Sequence, residues 1–405
     1  MSKPNKTAAN RVEALCRDFD AVVVFRHIAE GPVLSAFRNL SCRDDRAPTK
    51  AYADFVTELY KTHYDLSAYL LDALAEDENA YVDLVSKGKA VPAPLQECVD
   101  AELAIFQKLS DLPCEELQKY IRQRDVLRTS GHLPSYETTA QDLAEAYRAR
   151  IADIAKTGYG MYAHHNMFRL EGTDIVPILS PDTRVLADLY GYEREKAQLL
   201  ENTRALLSGK PAANTLLYGA AGTGKSSSVK AVTNELAGEG LRLLELKKSQ
   251  LHDIPLIMER LRKNPLKFII FVDDLSFQKD DDNFATLKAI LEGSASVKAP
   301  NTVIYATSNR RHLVRESFAD RDGDDIHRND TIQETMSLSS RFGLTILFNK
   351  PAKAEYMDIV RSLARAKGID MDDSELEKQA SAFAIRKGGA TPRAAEQFTN
   401  SLLIK

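Results

Sequence analysis

The spacing of apolar residues along the chain changes character near residue 180. Before it the repeats are helical: Tyr52, Phe55, Val56, Leu59 and Tyr60, then Leu66, Tyr69, Leu70 and Leu74, then Leu95, Val99, Leu103 and Phe106, then Leu143, Tyr147, Ile151 and Ile154. Apolar residues three and four apart share one face of an α-helix, so each set predicts an amphipathic helix with a buried stripe. The first two sets form either a pair of helices or one long one. Punctuated stretches at Ala90–Leu95, Thr129–Ser135 and Thr157–Gly160 read as loops. The Pro-containing run Ile175–Pro181 reads as the linker closing a mainly helical N-terminal domain, residues 1–180, whose stripes report a core and no ligand site.

From Leu189 onward short apolar runs alternate with helix-length segments: Thr215–Tyr218, Leu241–Leu246, Phe268–Val272, Thr302–Thr307 and Leu344–Phe348. Strands with almost no polar alternation, each followed by a helix, predict an α/β domain over residues 185–350, with a parallel sheet covered on both faces. After Pro351 only helical stretches remain, about Lys353–Lys367, Ser374–Lys387 and Pro392–Leu403, which predict a small helical domain over 351–405.

Chemistry enters at the first of these strands. Gly219-Ala-Ala-Gly-Thr-Gly-Lys-Ser226 matches GxxxxGK[ST] and directly follows the run that ends at Tyr218. The glycines let consecutive N–H groups turn inward around phosphates, and the helix that begins near Lys225 points its positive end at them. Gly219, Ala220, Ala221, Gly222, Thr223, Gly224, Lys225, Ser226 and Ser227 are therefore the expected nucleotide contacts. Lys225 would reach the β- and γ-phosphates, and the Ser226 hydroxyl would ligate Mg²⁺. Downstream, Lys267-Phe-Ile-Ile-Phe-Val-Asp-Asp274 is a buried strand that ends in two carboxylates. Asp273 would face the Mg²⁺ shell. Asp274, on the other side of the strand, would orient or deprotonate the attacking water. An aspartate there reaches one methylene less far than the more usual glutamate, which predicts slow hydrolysis.

Composition mainly excludes. The 405 residues suffice for two or three domains, and 44% hydrophobic with 28% charged residues is ordinary for a globular protein. A formal charge of -4 gives no global attraction to nucleic acid or an anionic membrane. Cys16, Cys42, Cys98 and Cys114 show no CxxC pair, and adjacent His164 and His165 cannot both face one metal from a regular element, so reduced thiols and no metal at the histidines are expected. A polar N-terminus and the lack of any run near the ~20 apolar residues of a membrane helix give the expectation of a cytoplasmic protein without membrane contact.

The arrangement resembles the AAA+ division of P-loop ATPases and, more closely, the bacterial ATP-binding family known as domain of unknown function 815. The carrying motifs are Leu217-Tyr-Gly-Ala-Ala-Gly-Thr-Gly-Lys-Ser226, Phe268-Ile-Ile-Phe-Val-Asp-Asp-Leu-Ser-Phe277 and Tyr305-Ala-Thr-Ser-Asn-Arg-Arg-His-Leu313, within about residues 185–405. The resemblance implies that Asn309 is the sensor holding the attacking water or γ-phosphate. It also implies that Arg341, in Ser339-Ser-Arg-Phe-Gly343, is an arginine finger acting on a neighbouring subunit, which would make the active unit a homo-oligomer. Arg393, near the start of the last helix, is placed as a second sensor on a helical lid. Tyr192, in Leu189-Tyr-Gly-Tyr-Glu193, would pack beside adenine. Arg310, Arg311, His312 and Arg315 form a basic patch, and Asp320 to Asp330 reads as a mobile charged loop suited to partner contact.

The leading expectation is an ATPase, using ATP and Mg²⁺, that remodels an unidentified protein or nucleic acid held by the N-terminal helices. The alternative is an ATP-switched assembly or loader protein acting on DNA with little turnover. A small-molecule kinase fits the sensor, finger and C-terminal helices poorly.

Overall fold

The computed structural model describes residues 6–41, 48–125, 131–277, 281–292, 299–309 and 338–404. Cys42, the start of the Thr129–Ser135 loop, the Arg310, Arg311, His312 and Arg315 patch, and the Asp320 to Asp330 stretch lie outside the described residues. The chain divides into two compact units, Met1–Ala163 and His164–Lys405.

The first unit is helical. Its helices are α1 (Lys6–Asp20), α2 (Arg26–Glu30), α3 (Pro32–Arg38), α4 (Pro48–Tyr60), α5 (Leu66–Glu76), α6 (Ala80–Ser86), α7 (Ala93–Ser110), α8 (Cys114–Arg124), α9 (Leu143–Ala152) and α10 (Ile154–Thr157). The stripes at 52–60 and 66–74 belong to two helices, because Asp65 caps the second: its side chain accepts from the N–H groups of Ser67 (2.7 Å) and Ala68 (3.0 Å). The stripes meet in one core, in which Phe106 lies edge-on to Phe19 (5.3 Å between centroids) and Phe25 (5.6 Å). Buried Glu102 on α7 accepts from the N–H groups of Val23, Val24 and Phe25, which satisfies a turn that has no helical partner of its own.

The second unit is built on β1 (Met167–Glu171), β2 (Asp174–Pro177), β3 (Thr215–Gly219), β4 (Leu241–Leu246), β5 (Lys267–Val272), β6 (Thr302–Ser308) and β7 (Leu344–Phe348). They form a seven-stranded sheet in the order β2-β1-β4-β5-β6-β3-β7, antiparallel only between β1 and β2. Helices α11 (Glu193–Leu207), α12 (Lys225–Leu236), α13 (Ile254–Leu261) and α14 (Asp282–Glu292) connect the strands. The five strands expected from apolar runs are present. β1 and β2 correct the reading of residues up to 180 as helix and linker: after buried Met167, Phe168-Arg-Leu-Glu171 alternates buried and exposed positions, and a two-residue turn at Gly172 (φ 61°) and Thr173 returns the chain as a hairpin. After β7 come α15 (Lys353–Ala366), α16 (Asp373–Arg386) and α17 (Pro392–Leu402), packed around Tyr356, Val360, Ala380 and Phe398. No helix among the described residues is long and apolar enough to cross a membrane.

Register sets the site. Val272 of β5 pairs with Ala306 of β6, so Asp273 comes level with Thr307, and Leu217 of β3 pairs with that same Thr307 from the other side. The carboxyl ends of three adjacent parallel strands thus converge where the loop after β3 begins.

Candidate nucleotide-binding site

The loop after β3 is held open by its glycines. Gly219 has φ 137°, and a Cβ there would drive into the Phe348 carbonyl of β7. Ala220 N–H instead donates to that carbonyl at 3.2 Å. Gly222 (φ 77°) and Gly224 (φ 93°) are left-handed, and Thr223 Oγ1 closes the turn onto Ala220 O at 2.8 Å. The N–H groups of Ala221, Gly222, Thr223 and Gly224 have no protein acceptor among the described residues, and α12 adds the unpaired donors of its first turn. A concave row of donors at a helix start is an anion cradle.

Lys225 folds back over this loop. Its Nζ donates to Gly219 O (3.0 Å), Ala220 O (2.8 Å) and Asn309 Oδ1 (3.0 Å), all of them neutral acceptors. Burial lowers its pKa, Asp273 and Asp274 nearby oppose that, and the charge of Arg393 adds to the lowering. Lys225 as a residue is 7% exposed, and no carboxylate is directly bonded to its ammonium among the described residues, so its charge remains available to an anion.

Beside it, Ser226 Oγ donates to Asp273 Oδ1 at 2.6 Å, and the same carboxylate oxygen accepts from Thr307 Oγ1. Asp274 has a left-handed backbone (φ 50°), and its N–H reaches Thr307 Oγ1 (2.9 Å) and Asp273 Oδ1 (3.1 Å). Asn309 Nδ2 donates to Asp274 Oδ1 at 2.8 Å. The side-chain amide of Asn309 therefore bridges Lys225 and Asp274, donating with one end and accepting with the other.

A cavity of about 210 Å³ adjoins the loop, lined by Gly222–Gly224, Ser227, Tyr190, Tyr192, Lys196 and, from the C-terminal helices, Ile359, Arg393 and Glu396. Tyr192 has φ 60°. Its hydroxyl donates to Asn349 O (2.5 Å), and its ring lies 5.1 Å from that of Phe348 at 32°. Arg393 N–H donates to Gly222 O at 3.2 Å, and a Cβ on Gly222 would sit 3.3 Å from the Arg393 Cβ. The last helix thus approaches the loop at a left-handed position where an added Cβ would crowd Arg393 and Thr391.

Of the residues expected from sequence, the structure brings together Gly219 to Ser227, Asp273, Asp274, Asn309, Arg393 and Tyr192. Arg341 stands elsewhere: its Nε donates to Glu292 Oε1 of α14 at 2.6 Å, its Nη2 pairs with the same oxygen, and it does not line the cavity. Sequence reasoning missed Thr307 and Lys196. Buried Lys196, which donates to Leu189 O and Glu193 Oε1, falls in register with Leu199, Thr203 and Leu206 on the inward stripe of α11, and a lysine in an apolar stripe is the signal that marks it.

Residues 162–405 match the family described as "Protein of unknown function (DUF815)". The chain belongs to this family. No curated protein matches it. Among solved structures, similar chains include the RuvB Holliday junction branch migration motor of Thermotoga maritima, at 16% identity and a TM-score of 0.36, covering 54% of this chain and 63% of that one. Two single-residue variants of the same RuvB align at 17% identity and a TM-score of 0.37, over 54% of this chain and 63% or 64% of theirs. The match thus spans less than two thirds of those chains' length. In this DUF815 member, the mostly parallel sheet, the loop after β3 and the helices after β7 make a P-loop α/β fold followed by a helical C-terminal part.

Proposed function

We propose that this DUF815 protein is a Mg²⁺-dependent ATPase of AAA+ type that works as a homo-oligomer and couples its nucleotide state to the remodelling of a protein or nucleic-acid partner. The observation that carries the reading is an unbroken hydrogen-bonded path. It runs from Ser226 through Asp273 and Thr307 to Asp274, and on through Asn309 to Lys225.

The donor set fits MgATP. The loop N–H groups and Lys225 suit the β- and γ-phosphates, and a serine hydroxyl beside a carboxylate is the hard oxygen pair that Mg²⁺ prefers. Ser226 and Asp273 would hold the ion, which when bound neutralises phosphate charge. Asn309 occupies Oδ1 of Asp274 and leaves the other oxygen to take a proton from the attacking water. Arg393, whose backbone is tied to Gly222, would add its charge at the γ-phosphate and report the nucleotide to the C-terminal helices. Tyr192 would pack on adenine. Arg341 would act on the neighbouring subunit's nucleotide after leaving Glu292.

A second reading, an ATP-switched assembly acting on DNA with little turnover, draws on one observation: Asp274 and Arg341 are both engaged within the chain, by Asn309 and Glu292. ATP hydrolysis measured over a wide range of protein concentration separates the two. The ATPase reading expects specific activity to rise with concentration, and expects Asp274→Asn and Arg341→Ala to lose turnover while still binding ATP. Flat activity with an indifferent Arg341→Ala removes the finger. ATP-dependent, salt-sensitive retention of DNA without turnover favours the switch.

A further inference from the structure

We propose that Thr307 is a positioning residue that sets the two strand-end carboxylates for Mg²⁺ and for water, an inference that rests on the ATPase reading above. Thr307 is 1% exposed and sits in β6 between the ends of β5 and β3. Three consecutive residues of the neighbouring segment hang on it. Its Oγ1 donates to Asp273 Oδ1, the same Oγ1 accepts from Asp274 N–H at 2.9 Å, and its carbonyl accepts from Leu275 N–H at 2.7 Å. A hydroxyl can donate and accept at once, which is what this arrangement requires.

The bond to Asp274 has a specific task. Asp274 holds φ 50°, a conformation an L-residue keeps only where its surroundings over-determine it. The Thr307 hydroxyl is the nearer of the two acceptors on its N–H. Without that bond the backbone can relax to the extended region, and the Asp274 carboxylate swings off Asn309. The bond to Asp273 acts on the metal side. It fixes the oxygen that receives Ser226 Oγ and so orients the pair that would hold Mg²⁺. Valine matches threonine in shape and abolishes both hydroxyl bonds. Serine keeps both and gives up one methyl.

The test compares Thr307→Val and Thr307→Ser with the full-length wild type, using binding of a fluorescent ATP analogue titrated with Mg²⁺, steady-state ATP hydrolysis and thermal melting. Thr307→Val is expected to raise the Mg²⁺ concentration at half-saturation by on the order of tenfold, the usual scale for losing a group that orients a metal ligand. It should lower kcat by a similar factor and leave KM for MgATP at saturating Mg²⁺ little changed, while Thr307→Ser restores the wild-type values. An unchanged Mg²⁺ requirement and kcat in a folded Thr307→Val protein overturns the inference. So does a Thr307→Ser protein as impaired as Thr307→Val, because packing would then be the cause. Lys225→Ala run alongside keeps the two proposals apart: wild-type protein that neither binds nor hydrolyses MgATP overturns the ATPase reading and this inference with it. Wild-type turnover abolished by Lys225→Ala but untouched by Thr307→Val overturns the inference alone.

Discussion

Gly219 sits where β3 passes into the phosphate loop, with the Phe348 carbonyl of β7 against the face on which a side chain would begin. Its φ of 137° is one that L-residues rarely adopt, so alanine there meets two penalties, backbone strain and a clash with main chain that cannot yield. Gly219→Ala should destabilise the second unit by about 3 kcal/mol or more, the sum of one strained backbone and one overpacked contact. Gly209→Ala is the control. Its φ of 69° is also left-handed, yet nothing lies within 4 Å of the added Cβ, so it should lose only about 1 kcal/mol. Urea denaturation of both variants checks this, and equal losses would remove the carbonyl clash as a cause. The sequence marks Gly219 as a loop glycine that frees N–H groups for phosphate. Its contact with a strand 129 residues later becomes visible only once β7 has been placed beside β3. Thr307 was hidden for a related reason: a threonine at a strand end is common, and only the β5–β6 register puts this one level with Asp273.

At the scale of elements, the apolar runs located β3, β4, β5 and β6 because a parallel strand covered on both faces leaves no room for polar alternation, whereas β7, at the sheet edge, was found by its apolar residues although its exposure alternates. The same logic passed over β1 and β2. β2 is the edge strand and β1 lies next to it; they are only four and five residues long, and β2 is exposed or half-buried throughout. The last helix was legible from Pro392 at its first turn, and the resemblance put Arg393 near the loop. The bond to Gly222 and the charge felt at Lys225 add a signed consequence. Burial holds the Lys225 pKa below the ordinary value of 10.5, and Arg393 lowers it further. Only the protonated ammonium attracts phosphate, so nucleotide affinity should fall as pH rises through a midpoint below the ordinary lysine range. Removing a neighbouring cation raises that pKa, so Arg393→Ala should move the midpoint to higher pH. Asp274→Asn removes an anion that supports the protonated form, and should move it to lower pH. Dissociation constants for an ATP analogue measured across the alkaline range give both midpoints. Shifts in the same direction for both variants would show that at least one of the two charges does not act through Lys225.

At the scale of the whole molecule, three clusters of buried residues each lie within one of the two units. One extends from Val12 to Ile154, and the others lie between Met167 and Phe398. Each unit therefore carries the apolar interior needed to fold by itself, and every hydrogen bond of the candidate site joins residues after 164. The helical stripes of the first unit were legible because they build that interior, and for the same reason they say nothing of what the unit does. From this separation we expect residues 164–405, produced alone, to bind MgATP with the dissociation constant of the full chain, and residues 1–163 to unfold cooperatively without any response to nucleotide. The comparison also bears on the proposed division of labour. If the N-terminal helices hold the partner, the shorter chain should keep nucleotide binding and basal turnover while losing any stimulation that a partner gives the full chain. A 164–405 protein that is folded by circular dichroism but binds MgATP tenfold more weakly would show that the first unit contributes to the nucleotide site. Its role would then be control of the ATPase rather than capture of what the ATPase acts on.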